Sequence, residues 1–180
     1  MKKYIALALL ATTVSGCMQA TQTVAPTMTM STVTTIPGKV SVQVENYAQV
    51  QQTIKPSTYV GSAWDFPIDT SGVERSLVSS IQSSYSGYGQ MNHVKLTIND
   101  IQPRLQIVQG PFTNQVQTNV ELEIRVSKNR HSRTIYASRR GEQTYYEYQV
   151  MEGVSSAFDN AFKMATRKAV VQATEFLENS

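Results

Sequence analysis

The chain has 180 residues, of which 16 are Lys or Arg and 13 are Asp or Glu, and its formal net charge is +3. This length suits one compact domain with an extension. The single cysteine, Cys17, excludes a disulfide within the chain, and no apolar stretch after it reaches the roughly 20 residues that cross a bilayer.

The N-terminal residues have the layout of a bacterial export signal. Lys2 and Lys3 precede an apolar stretch from Tyr4 to Leu10, and small residues then lead to Cys17. A cysteine directly after Ser-Gly resembles the lipobox of bacterial lipoproteins, in which diacylglycerol alkylates the thiol and the peptide is cut before it. The alternative interpretation is an ordinary secretory signal that happens to contain a cysteine.

The lipobox resemblance implies an organisation in three parts. Residues 1–16 would be a lipoprotein signal peptide, and 17–38 an acylated cysteine with a flexible Thr-rich tether, since no charged residue lies between Met18 and Gly38. Residues 39–180 would form the domain. Two or three acyl chains, palmitate among them, would hold Cys17 in the membrane. Met18 resembles an outer-membrane sorting signal, so we expect the domain on the periplasmic face of the outer membrane.

Loss of the signal also changes the charge of the protein. Without Lys2 and Lys3 the formal net charge falls from +3 to about +1. We therefore expect no nucleic acid partner.

The first elements of the domain are a strand and a helix. Val40, Val42 and Val44 alternate with polar residues, which indicates a half-buried strand. A helix is predicted from Asp69 or Thr70, as N-cap, to about Ser84. Its apolar residues fall four apart, at Val73, Leu77, Ile81 and Tyr85.

Three longer strands follow. Apolar residues alternate from Val94 to Ile98 and change phase at Ile101, which predicts a β-bulge near Asn99-Asp100 or a bend at Pro103. The alternation from Val116 to Val126 is the clearest in the chain and indicates a sheet covered on one face only.

A hairpin loop is predicted at residues 128–131, before a third and weaker strand. This strand would run through Ile135 and Ala137 to the tyrosines at 145, 146 and 148, with a break near Gly141. Tyr146 and Tyr148 would share one face, which favours core packing of that pair.

The last element is an amphipathic helix of about 25 residues, since apolar residues recur at three and four from Val154 to Phe176. The resulting order is β-α-β-β-β-α. It predicts an α+β two-layer sandwich, in which a mainly antiparallel sheet of about four strands packs two helices on one face.

Catalytic and metal-binding patterns are lacking in the sequence. His93 and His131 are far apart and show no metal-ligand spacing. Glu121 and Glu123 share one predicted strand face with Arg125, which is typical of a solvated sheet face. We therefore expect no enzyme activity, no metal and no cofactor.

Basic residues are concentrated around the predicted hairpin, with six in the sixteen positions from Arg125 to Arg140. The candidate contacts for an anion or an acidic partner are Lys128, Arg130, Arg133, Arg139 and Arg140. The alternative is a solvated hairpin tip whose charges protect the sheet edge from aggregation.

The lipobox, the tether and the β-α-β-β-β-α order together resemble small outer-membrane lipoproteins of the YajG type. The stretch from Val94 to Ile98, the strand through Val120 to Val126 and the alanine-rich last helix carry this resemblance. The layout is also similar to LptE-like lipoproteins and to auxiliary lipoproteins of ABC transporters.

Such families imply a non-catalytic accessory or scaffolding protein of the cell envelope with a protein partner. The alternative function is binding of lipid or lipopolysaccharide, with the basic hairpin on phosphates and apolar groups near Trp64 on acyl chains. A deep apolar cavity would favour lipid binding, whereas a filled core would favour protein docking.

Overall fold

The computed structural model describes residues 35–48, 53–54, 66–67, 71–109, 112–146 and 150–180. Its elements, in chain order, are β1 (Lys39–Asn46), β2 (Thr53–Ile54), β3 (Phe66–Pro67), α1 (Ser71–Ser83), β4 (Met91–Gln109), β5 (Thr113–Lys128), β6 (His131–Tyr146) and α2 (Val150–Glu178).

The main sheet has four strands in the order β1-β4-β5-β6. β1 pairs with β4 in parallel, because the chain crosses over through α1 between them. β4, β5 and β6 form an antiparallel meander, and the two-residue strands β2 and β3 form a small separate pair. The predicted α+β sandwich and its element order are confirmed, with β1 as a parallel edge strand.

The predicted β-bulge lies at its expected place in β4. The pairing with β5 shifts register between Ile98 and Asp100, which adds one residue to β4. Ile98 and Ile101 are consequently both buried on the same side. Pro103 lies within the strand opposite Val120. Proline is tolerated there because β1 pairs only with the first part of β4, so the remainder of β4 is an edge.

Both helices cover one face of the sheet and enclose a single apolar core. The predicted stripe of α1 and the predicted strand face of β5 are buried, and α2 extends to 29 residues. The largest side chains with less than 2% exposure are Phe158, Phe162, Leu77, Ile81, Leu96, Ile98, Ile101, Ile107, Ile124 and Leu177.

The predicted break in the last strand is wrong, because β6 continues through Gly141. A side chain at Gly141 would meet the carbonyl oxygen of Ala157 and, at 2.9 Å, Thr118 Oγ1. The glycine therefore lets α2 approach the sheet rather than interrupting the strand. Thr118 Oγ1 also donates a hydrogen bond to the Ala157 carbonyl at 3.0 Å.

The prediction for the tyrosines is also corrected. Tyr145 is the buried member, 6% exposed, and lies against Gly153, whereas Tyr146 is 56% exposed. Since alternate residues of a strand face opposite sides, the residue that shares parity with Ile135 and Ala137 enters the core. Tyr148 lies outside the described residues.

The chain contacts the domain before β1 begins. Ile36 is 3% exposed, its N–H donates to the Ser84 carbonyl at 2.7 Å, and its carbonyl accepts from Ser86 N–H at 2.9 Å. Residues 35–38, which the sequence assigns to the tether, therefore pack against the end of α1. Cys17, the rest of the tether, the N-cap candidates Asp69 and Thr70, and Trp64 lie outside the described residues.

Candidate partner-binding surfaces

The face of the sheet opposite the helices is polar, and we call it the open face. It is formed by the alternate residues of β4, β5 and β6 that do not enter the core. Side-chain hydrogen bonds link its strands: Asn99 Nδ2 donates to Glu123 Oε1 at 2.9 Å, and Ser138 Oγ donates to Asn119 Oδ1 at 3.2 Å. Such cross-strand bonds hold its polar groups in a fixed arrangement.

The charges of the open face are largely paired. Lys95 Nζ lies 2.8 Å from Glu45 Oε1, and Arg104 lies 3.6 Å from Glu121. The hydrogen bond from Lys95 lowers the pKa of the Glu45 carboxyl, with a smaller contribution from the Tyr47 hydroxyl. A balanced face of this kind offers hydrogen bonds to a partner rather than a strong field of one sign.

A shallow hollow of about 340 Å³ lies beside β5. The carboxylates of Asp100, Glu121 and Glu123 line it together with Tyr136, which is 66% exposed. Glu121 accepts a hydrogen bond from Asn119 at 2.9 Å, and Asp100 accepts one from Gln102 at 2.5 Å. With the bond from Asn99 to Glu123, all three carboxylates are engaged by neighbouring amides. Within the described ranges no three His, Cys, Asp or Glu residues are grouped so as to hold a metal ion.

The structure divides the predicted basic cluster between several surfaces. Arg140 lies on the open face, where it contacts Gln117 and pairs with Glu142 at 3.2 Å. Arg125 lies on the same face and donates to Ser132 Oγ at 2.9 Å. Because side chains alternate along a strand, Arg133 and Arg139 lie on the helix side instead.

Lys128 and Arg130 lie at the β5–β6 hairpin. The hairpin has a two-residue loop, Asn129-Arg130, in which Asn129 has φ 57° and Arg130 is exposed. Lys128 Nζ donates to the Leu177 carbonyl at 2.8 Å. A cation at the last carbonyls of α2 stabilises the helix end, so Lys128 has a structural role.

Arg139 lines a groove between β6 and α2, which we call the edge groove. Its volume is about 430 Å³. The other lining residues, all from α2, are Met164, Arg167, Lys168, Val171, Gln172 and Glu175. A second hollow of about 280 Å³ continues towards the hairpin and is lined by Arg133, His131, Phe176 and Glu175.

The sequence interpretation missed the two α2 cations of the edge groove, Arg167 and Lys168. A signal was present: the lining residues of α2 recur at spacings of three and four from Met164 to Glu175, which defines a second stripe beside the core stripe. The role of that stripe becomes visible only when α2 is placed beside β6.

Exposed apolar side chains lie at the end of the sheet where β4 joins β5. Phe112 is 84% exposed, Tyr146 56% and Val108 42%. Tyr146 pairs with Thr113 and Val108 pairs with Gln115 across the strands, so the three lie at one end of the open face. This apolar end adjoins polar surface, as at many protein contact sites.

No helix in the described part of the chain is both long and apolar enough to span a membrane. No protein-family model matches the chain, and no curated protein matches it in sequence.

Solved structures with detectable similarity include two bacterial proteins. One is a candidate lipoprotein from Caulobacter crescentus, with 12% identity and a TM-score of 0.33, covering 59% of this chain and 82% of the other. The second is a minor lipoprotein from Acinetobacter baumannii, with 16% identity and a TM-score of 0.35, covering 74% and 93%.

Proposed function

We propose that this chain is a lipid-anchored, non-catalytic accessory protein of the bacterial envelope that binds a protein partner. Cys17 would carry the acyl chains, and the domain would face the periplasm from the outer membrane. The lipobox pattern before Cys17 supports the anchor. The open face and its exposed apolar end support docking of a partner.

The observation that carries this proposal is the contrast between the two sides of the sheet. The helix side is filled by large apolar side chains, with Phe158 and Leu77 at 0% exposure and Phe162 at 1%. The other side presents the polar groups of three long strands with Tyr136 exposed among them. A filled core and an accessible, ordered polar face favour protein docking over enclosure of a small ligand.

Lipopolysaccharide binding has less support. This function would need the five basic residues to form one site for phosphates, but Arg140 and Arg133 lie on opposite sides of the sheet. Lys128 is engaged with α2. One flat array of phosphates cannot contact all five at once.

The anchor is tested with Cys17→Ala, using Thr21→Ala as the matched control. We expect Cys17→Ala to release the protein from the membrane fraction and to remove the mass of the acyl chains from the mature form. A Met18→Asp variant should move the protein from the outer to the inner membrane. Unchanged fractionation and mass for Cys17→Ala would overturn the anchor.

Docking is tested by placing a photo-crosslinking amino acid at Tyr136 in cells. A second position, the 83% exposed Tyr88, is the control because it lies outside the open face. We expect a discrete protein adduct from position 136 and none from position 88. Equal adducts from both positions, or none from either, would contradict docking through the open face.

A further inference from the structure

We propose that the edge groove binds an extended, acidic peptide segment of a partner, which adds as a fifth strand to β6. This inference depends on the proposed function in one respect, namely that the partner is a protein. It assigns a second contact site, which adjoins the open face because Lys168 lines both the edge groove and the hollow beside Tyr136.

The backbone of β6 supplies the first argument. β6 is 16 residues long and forms one edge of the main sheet. Among the described residues, β5 is the only strand that pairs with it. The outward N–H and C=O groups of an edge strand are a template for a further strand, and peptide-binding domains use such edges beside a helix.

The shape of the groove supplies the second argument. The two hollows between β6 and α2 both contact Glu175, so they lie next to each other along the strand. From His131 to Arg139 the strand advances eight residues, or about 26 Å at 3.3 Å per residue. This length matches a peptide of about eight residues in extended conformation.

Charge supplies the third argument and defines the chemistry of the peptide. Four cations line the two hollows, at Arg133, Arg139, Arg167 and Lys168, and Glu175 is the one Asp or Glu side chain among the described residues that lines them. Within the described part of the chain, Arg167 and Lys168 are in no ion pair. Acidic side chains on alternate positions of an added strand would face these cations.

Apolar surface in the same groove completes the description. Met164 is 43% exposed and lines the edge groove with Val171. A flexible thioether of this kind adapts to different partners. The peptide should therefore combine acidic residues with small apolar ones. A concave groove beside a strand edge suits a single chain better than a flat lipid surface.

The test uses the full chain in detergent and a fluorescent ten-residue probe that alternates Glu with Thr and Val. One control probe has Lys in place of Glu. A second control probe keeps Glu but carries N-methyl groups on alternate amides, which removes the donors that an added strand needs. Fluorescence anisotropy measures binding, and hydrogen exchange reports protection of the β6 amides.

The protein variants are matched in charge. The groove variant is Arg167→Glu with Lys168→Glu. The control variant is Arg75→Glu with Lys163→Glu, which reverses two exposed cations that do not line the groove. We expect the groove variant to weaken binding of the acidic probe by about tenfold or more and the control to change it by about twofold or less. Binding should also weaken with added salt.

Three results would overturn the inference. They are absent binding of the acidic probe, equal loss in both variants, and undiminished binding of the N-methylated probe, which would reveal charge attraction without strand addition. A fourth experiment measures co-sedimentation of the Cys17→Ala protein with vesicles of phosphatidylethanolamine and phosphatidylglycerol. If the protein binds these vesicles through Arg167 and Lys168 but does not bind the acidic probe, the groove is a membrane contact and the inference is wrong. Adducts from Tyr136 that persist in the groove variant would leave the proposed function standing.

Discussion

The two faces of β5 differ although the same strand forms both. Val116 and Ile124 are fully buried, whereas their neighbours Gln117 and Glu123 lie on the open face in polar hydrogen bonds. The covered face holds the helices to the sheet through apolar contact. Among the described residues, no helix packs on the open face. The difference shows that the apolar packing that stabilises this domain lies on one side of the sheet, so side chains on the other side are less constrained by the fold.

The largest expected effect tests the covered face. Phe158 is 0% exposed and lies against Phe162, with ring centroids 6.1 Å apart. Phe158→Ala should lower the free energy of unfolding by about 3–5 kcal/mol, because it removes buried area and leaves a cavity. Urea denaturation measures the change. Phe112→Ala, at an 84% exposed position, is the control and should cost less than about 0.5 kcal/mol. Similar losses for both would show that the faces do not differ as described.

A smaller effect is expected where α2 approaches the sheet most closely. Gly141→Ala places a methyl group against the Ala157 carbonyl and Thr118, both of which belong to the packed interior. The free energy of unfolding should fall by about 1–3 kcal/mol. Thr144→Ala, at an exposed position of the same strand, should cost less than about 1 kcal/mol. A neutral Gly141→Ala, measured by thermal or urea unfolding, would mean that the two layers are farther apart.

The covered face also contains a polar group whose removal should help. The Tyr85 hydroxyl is buried and, among the described residues, has no hydrogen-bond partner. Tyr85→Phe should therefore stabilise the domain by about 1 kcal/mol, since it removes an unsatisfied group. Tyr88→Phe, at an 83% exposed position, should have no measurable effect. A destabilised Tyr85→Phe would show that the hydroxyl is satisfied.

The same substitution has a pH signature. Burial raises the pKa of the Tyr85 hydroxyl above its ordinary value of 10.0. The unfolded chain therefore loses this proton at a lower pH than the folded chain. The free energy of unfolding of the wild type is unaffected by this ionisation below pH 10.0 and falls as the pH rises from 10.0 towards the folded pKa. The advantage of Tyr85→Phe should thus increase as the pH rises above 10.0, measured by urea denaturation. A constant difference would contradict the shift.

The smallest effect on stability is expected on the open face. Tyr136→Thr removes a 66% exposed ring and introduces another residue type that favours strands. The free energy of unfolding should therefore change by less than about 0.5 kcal/mol. Partner crosslinking from a neighbouring open-face position such as Ser138 should nevertheless fall. Tyr88→Thr is the matched control for crosslinking. A large loss of stability would show that Tyr136 supports the fold rather than a contact.

Local patterns predicted most of the fold because each element carries its own periodicity. The phase change after Ile98 located the bulge, since the apolar residues on both sides of it, Ile98 and Ile101, are buried on the same side of the sheet. Gly141 misled the prediction of β6. In sequence a strand glycine can signal either a break or a close approach, and only the position of Ala157 on α2 distinguishes them.

The surfaces were less predictable than the elements. Arg133, Arg139 and Arg140 are near neighbours in sequence, but strand alternation places Arg140 on the opposite side from the other two. Ile36 looks like part of a tether until Ser84 and Ser86 are found hydrogen-bonded to it. Such long-range contacts have no local signature.

By itself, the sequence determined the types of the long elements, the buried faces of α1, β4, β5 and α2 and the lipobox pattern at Cys17, because periodicity and spacing are properties of neighbouring residues. The tertiary structure decided which side chains meet. It brought Arg139 of β6 beside Arg167 and Lys168 of α2, and it placed both described helices on the same face of the sheet. These arrangements depend on how the helices pack across the strands, which no short stretch of sequence specifies.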